Sequence, residues 1–157
     1  MRQQSLKKTI MLKGVGLHSG LESELKIHPA AENFGIVFKR VDMPQAALVK
    51  GLYTNVVDTR NCTCLSNADK AVVSTIEHLM AALSVRGIDN ALIEVNNPEL
   101  PIMDGSGKMF YDALKAAEIE TQNAERKQLK VLKKVSFTDD KGNTASLEPA
   151  DEFSVHM

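Results

Sequence analysis

AVVSTIEHLMAALSVRG, residues 71–87, decides how the chain is read. Within it Val72, Ile76, Leu79, Met80 and Leu83 recur at helical spacing, which predicts a helix over residues 71–86. Ser66 or Asn67 is placed to cap its start, and Gly87 stands where helices commonly end. Upstream the period is two. Leu21, Ser23, Leu25 and Ile27 alternate with Glu22, Glu24, Lys26 and His28, the pattern of a strand with one polar face. Residues 6–12, 35–41 and 53–58 are further short β candidates, and residues 88–96 return to strand.

Downstream, Pro98-Glu99-Leu100-Pro101 reads as a rigid extended link, and Asp104-Gly105 as a turn. Ser106 then precedes a second amphipathic helix carrying Phe110, Ala113, Leu114 and Ala117. Strands followed by helices on one chain predict an α+β domain over residues 1–124. The polar stretch 123–127 reads as a linker, so residues 125–157 are expected to be a linker and the start of an incomplete second domain. There, residues 129–138 have a strand pattern, 139–143 a turn and 145–148 a return strand; Phe153, Val155 and Met157 still alternate where the sequence stops. A unit of roughly 30 residues cannot bury a core of its own.

Composition narrows the function. The chain has 157 residues, 43% hydrophobic and 25% charged, which is a globular rather than a disordered balance. Nineteen Lys and Arg against 20 Asp and Glu leave no basic excess for neutralising phosphates, which argues against a nucleic-acid partner. No run of about 18 apolar residues provides a transmembrane segment. The basic N-terminus lacks a signal-peptide core, so a cytoplasmic location is expected. Cys62 and Cys64, one residue apart, are no disulfide framework.

Glu77 and His78 are adjacent on the predicted helix, so their side chains project about 100° apart. A carboxylate beside an imidazole suits a general base next to a metal ligand. It also suits a surface Glu and a half-buried His that merely satisfies a hydrogen bond. No second His follows at i+4, so the zincin pattern is absent. On the predicted helical wheel, Ala71, Ser74, His78, Ala81, Ala82 and Val85 form a small, uncharged face opposite the apolar stripe, which expects cover. Gly14-Val15-Gly16-Leu17-His18-Ser19-Gly20 either brings backbone and His18 close to a ligand or is a plain glycine-rich turn. Cys62-Thr63-Cys64 suits a soft metal ion or two buried small hydrophobes.

Taken together, GVGLHSG (14–20), CTCL (62–65), STIEHLMAAL (74–83), GIDNALIEVN (87–96) and PELPIMDGS (98–106) resemble, in order, the N-terminal half of the UDP-3-O-acyl-N-acetylglucosamine deacetylase family. The resemblance implies a zinc-dependent hydrolase of lipid A biosynthesis that removes the N-acetyl group of a UDP-sugar lipid precursor and releases acetate. It also implies two similar α+β domains whose helices pack together in the middle. His78 matches a zinc ligand and Glu77 the general base. His18 matches a histidine near the metal, and Cys62 a cysteine lining the site. The family's His-Lys-x-x-Asp motif, which supplies its remaining zinc ligands, does not occur in this sequence. The alternative is therefore a non-catalytic truncated half or an interaction module. Either way the small-residue helix face is expected to meet a missing second domain or another copy of the chain.

Overall fold

The computed structural model describes residues 1–43, 45 and 48–156. The alternation of residues 21–28 becomes β3 (Glu22–Pro29), which buries Ser23, Leu25 and Ile27 and turns Lys26 and His28 the other way. This strand lies second in a five-stranded mixed sheet. The order is β2 (Ile10–Val15), β3, β9 (Ala91–Val95), β4 (Ile36–Arg40) and β5 (Leu48–Lys50). β3 and β9 run antiparallel, with Leu25 opposite Val95 and Ile27 opposite Ile93, whereas β4 and β9 run parallel. One face of the sheet thus gathers Leu25, Ile27, Phe38, Ile93 and Val95 into the core. The other carries ion pairs, among them Lys39 to Glu94 at 2.9 Å and Lys13 to Glu24 at 2.7 Å. That separation of apolar and charged faces is what period-two alternation produces.

β1 (Arg2–Leu6) pairs antiparallel with β10 (Ile119–Glu125). The candidate strand at residues 6–12 is therefore split by a turn at Lys7 and Lys8. The polar stretch expected to be a linker from residue 123 is still strand through Glu125. Its ladder partner is far away in sequence, so local polarity could not reveal it. Buried Asn90 ties this pair to the main sheet: its Nδ2 donates to Gln3 and Gln122, and its Oδ1 accepts from Gly35 N–H. β6 (Val56–Asp58), β7 (Cys64–Ser66) and β8 (Val72–Val73) form a small antiparallel sheet.

The decisive helix is α1 (Glu77–Arg86), not 71–86. Val72 and Val73 are strand, as β-branched neighbours favour, and Arg40 donates to the Val72 carbonyl at 2.8 Å. Neither expected cap acts as one. Ser66 lies in β7, and Asn67 Oδ1 accepts from the N–H groups of Asp69 and Ala71, closing a turn ahead of β8. The C-terminus is as read: Gly87 is left-handed at φ 71° and ends the helix. Because the first turns are not helical, the small-residue face also changes. Ala71 and Ala82 are buried, and the outer side of α1 presents half-buried His78 with exposed Ala81, Ser84 and Val85. α2 (Lys108–Ala116) follows Ser106, whose Oγ accepts from Lys108 N–H, packs on α1 and buries Phe110 and Leu114 in the core. The domain is α+β, with helices on the apolar face of a sheet.

The chain divides into two units, Met1–Arg126 and Lys127–Met157. In the second, β11 (Val135–Thr138) and β12 (Thr144–Leu147) make an antiparallel hairpin, and every side chain on both strands is exposed. The strand pattern at 129–138 is realised only over its last four positions. Phe153 to His156 adopt no strand, and Met157 lies outside the described residues.

Candidate active site

Glu77 and His78 open α1, and both are half-buried. A carboxylate in the first turn lies near free N–H groups at the positive end of the helix dipole, where negative charge is favoured. The loop before β7 reaches back to it: Thr63 N–H donates to Glu77 Oε2 at 2.9 Å. That bond places the Cys62-Thr63-Cys64 segment beside the helix start. Both cysteines are free and half-buried. Burial pushes the Cys64 thiol above its ordinary pKa, and the nearby Cys62 and Asp58 raise it further, so it behaves as a small neutral side chain.

On the opposite approach, Thr75 holds a left-handed backbone at φ 58°. For a β-branched residue this is an outlier costing about 1–3 kcal/mol, sustained only by surrounding contacts. Those contacts come from the Pro98–Pro101 segment. Ser74 N–H donates to the Pro98 carbonyl at 2.8 Å, Leu100 N–H donates to the Ser74 carbonyl at 3.1 Å, and Thr75 Oγ1 donates to Glu99 Oε1 at 3.0 Å.

The same Glu99 carboxylate holds the glycine loop between β2 and β3. His18 N–H donates to Oε1 at 3.0 Å and Ser19 N–H to Oε2 at 2.8 Å. Glu99 is 2% exposed. Burial pushes its pKa up, but the His18 and Ser19 N–H groups and the Ser19 and Thr75 hydroxyls outweigh that and hold it at about 2. Its own backbone is satisfied as well, by Asn97 Oδ1 and Ser23 Oγ. Gly16 makes room for this packing. A Cβ there would lie 2.5 Å from Glu99 Oε2 and 2.4 Å from Ser19 Oγ, closer than atoms tolerate.

The fold thus brings the glycine loop, the Cys62–Cys64 segment and the Glu77-His78 pair to one end of α1, through Glu99 and Thr63. His18 joins by its backbone, and its side chain is exposed. Among the described residues, no three His, Cys, Asp or Glu side chains converge as a metal site. A shallow depression on β2 and β3, lined by residues such as Lys13, Val15, Glu22 and Asn96, includes neither Glu77 nor His78.

Residues 3–157 fit the family described as UDP-3-O-acyl N-acetylglycosamine deacetylase. The chain belongs to this family. Among similar deacetylase-family proteins, UDP-3-O-acyl-N-acetylglucosamine deacetylase of Vibrio vulnificus is 46% identical over 139 residues, covering 88% of this chain and 46% of the relative. Those of Pseudoalteromonas atlantica and Histophilus somni are 42% and 43% identical over 155 residues, covering 99% of this chain and 51% and 50% of their own. The chain spans about half the length of the curated relatives it matches.

Sequence reasoning missed Glu99, Thr75 and Thr63. Thr63 acts through its backbone, which no side-chain pattern reports. Glu99 had one usable signal: a lone carboxylate inside an apolar, proline-bounded segment, Pro98 to Pro101, has to find partners if that segment is buried.

Proposed function

We propose that this chain carries the Glu77-His78 part of a deacetylase site acting on the N-acetyl group of a UDP-3-O-acyl-N-acetylglucosamine substrate, in the cytoplasm. Water adds to the acetyl carbonyl, the C–N bond breaks, and acetate and the free amine leave. Glu77 is the group that takes the proton from water and passes it to the departing nitrogen. The observation that carries this reading is the Thr63 N–H bond to Glu77 Oε2, which orients the carboxylate at the start of α1. Cys62 borders the site from the same loop, and His18 from the Glu99-bound glycine loop.

His78 is the proposed zinc ligand. A catalytic zinc takes three protein ligands, and the described residues do not bring three together. The described residues therefore do not by themselves fit a catalytic zinc, and His78 is proposed as one member of a set completed by residues beyond these. The same shortfall favours a second reading, a half that keeps the fold and supports assembly without turnover. In both readings the outer side of α1, with Ala81, Ser84 and Val85 exposed, is the side that a second domain or another copy covers.

Acetate release separates them. The chain is incubated with zinc and the UDP-sugar substrate, alone and with the complementary half of the Vibrio vulnificus relative. Acetate that depends on both Glu77 and His78 supports the enzyme reading. Acetate that survives Glu77→Ala overturns Glu77 as the base, and none under either condition favours the non-catalytic half.

A further inference from the structure

We infer that Glu99 is a positioning residue that locks the glycine loop carrying His18 to the strained entry of α1, and through it sets the placement of Glu77 and His78. Calling that end of α1 a site rests on the function proposed above; the clasp itself rests on geometry alone. One buried carboxylate receives the N–H groups of His18 and Ser19 at 3.0 and 2.8 Å and the Thr75 hydroxyl at 3.0 Å. Its partners lie 81, 80 and 24 residues away, so it joins two segments with no covalent reason to meet.

Both oxygens are engaged, which leaves Glu99 poorly suited to proton transfer or metal binding and well suited to holding. What it holds is strained. Thr75, at φ 58°, precedes Ile76 and then the Glu77-His78 pair. A β-branched residue leaves that conformation unless something fixes it, and the hydroxyl bond to Glu99 is the side-chain contact that does so. Gly16 completes the clasp, because any larger residue would push the carboxylate out of reach of the loop. Helix α1 has no side-chain N-cap of its own. Its start is therefore defined from outside, by Thr75 and by Thr63.

The test reads geometry rather than turnover. Amide hydrogen exchange and histidine ring signals are followed by NMR on the whole chain for wild type, Glu99→Gln, Thr75→Val and Thr75→Ser. In Glu99→Gln the His18 and Ser19 amides should lose protection by roughly 10- to 100-fold, the effect of losing a hydrogen bond to a charged group. The Ile27 and Ile93 amides in the main sheet should be unchanged. Thr75→Val keeps the side-chain shape and removes the hydroxyl; it should move the His78 ring signals, and Thr75→Ser should restore them. Unchanged His18 and Ser19 protection in Glu99→Gln overturns the proposal. So do unmoved His78 signals in Thr75→Val, or a failure of Thr75→Ser to restore them. If Glu99→Gln loses the whole fold, the threonine pair decides, since it leaves the carboxylate in place. Loss of amide protection in a chain that releases no acetate, either alone or with the complementary half, leaves the clasp standing and overturns the deacetylase reading in favour of the non-catalytic half.

Discussion

Glu77 Oε2 accepts the backbone N–H of Thr63 at 2.9 Å, across 14 residues of chain. The bond joins a loop with no regular structure to the first turn of α1, so one interaction orients the carboxylate and anchors Cys62 and Cys64. A side chain aimed by a backbone amide has fewer rotamers to lose when it meets a substrate, which suits the general-base role proposed for Glu77.

Replacing Glu77 should therefore have two effects. In the enzyme completed by a relative's second half, Glu77→Ala should lower kcat by roughly 10²–10⁴-fold, the usual loss for a general base. In the chain itself, the Thr63 amide should exchange faster while β3 and β9 remain protected. Acetate release and amide exchange check the two parts separately. Full turnover in the variant would place the base elsewhere.

Gly16→Ala should destabilise the chain by about 1–3 kcal/mol, because the added methyl overlaps Glu99 Oε2 and Ser19 Oγ. Gly20→Ala is a useful contrast. Nothing lies within 4 Å of its would-be Cβ, but its φ is 67°, so its cost is backbone strain of about 1 kcal/mol. Denaturant titration of both variants, with Glu99→Ala as a background, should show Gly16→Ala losing part of its penalty when the Glu99 side-chain atoms are gone and Gly20→Ala keeping its own.

Acid should weaken the chain through Glu99. Its folded-state pKa is depressed from 4.5 to about 2, so the stabilisation is present above pH 4.5 and is lost as pH falls through about 2. For a residue this buried the linkage corresponds to roughly 3 kcal/mol. Unfolding free energy measured between pH 5 and pH 2 should therefore fall less steeply in Glu99→Gln than in wild type. Equal slopes would mean that the carboxylate is ordinary in the folded chain.

Two neighbouring alanines on α1 should behave oppositely. Ala82 is 4% exposed, within the core cluster, so Ala82→Glu buries an unpaired charge and should unfold the chain or cost several kcal/mol. Ala81 is exposed, and Ala81→Glu should change stability by no more than about 0.5 kcal/mol. Thermal melts distinguish the two directly. If the outer side of α1 is covered by a second copy of the chain, Ala81→Glu should also lower the mass seen in sedimentation.

Local physics made several features legible without any structure. The alternation at residues 21–28 specified β3 and which of its faces is buried, because side chains on a strand point to opposite sides in turn. Gly87 marked the end of α1 because a left-handed residue there costs glycine little. Glu77 and His78 stood out as adjacent chemistry-bearing residues within a periodic segment. What local physics could not give was where that helix begins. The apolar spacing from Val72 onward fits a helix, yet Val72 and Val73 gain a ladder with β7, and Ser74 bridges to Glu99. Pairing with neighbouring β7 and a bridge to the more distant Glu99 thus outweigh the helical preference of residues 71–76. The same holds for the clasp. Its donors and acceptor are separated by up to 81 residues, and no period or spacing encodes a hydrogen bond between segments that only the packed sheet brings together.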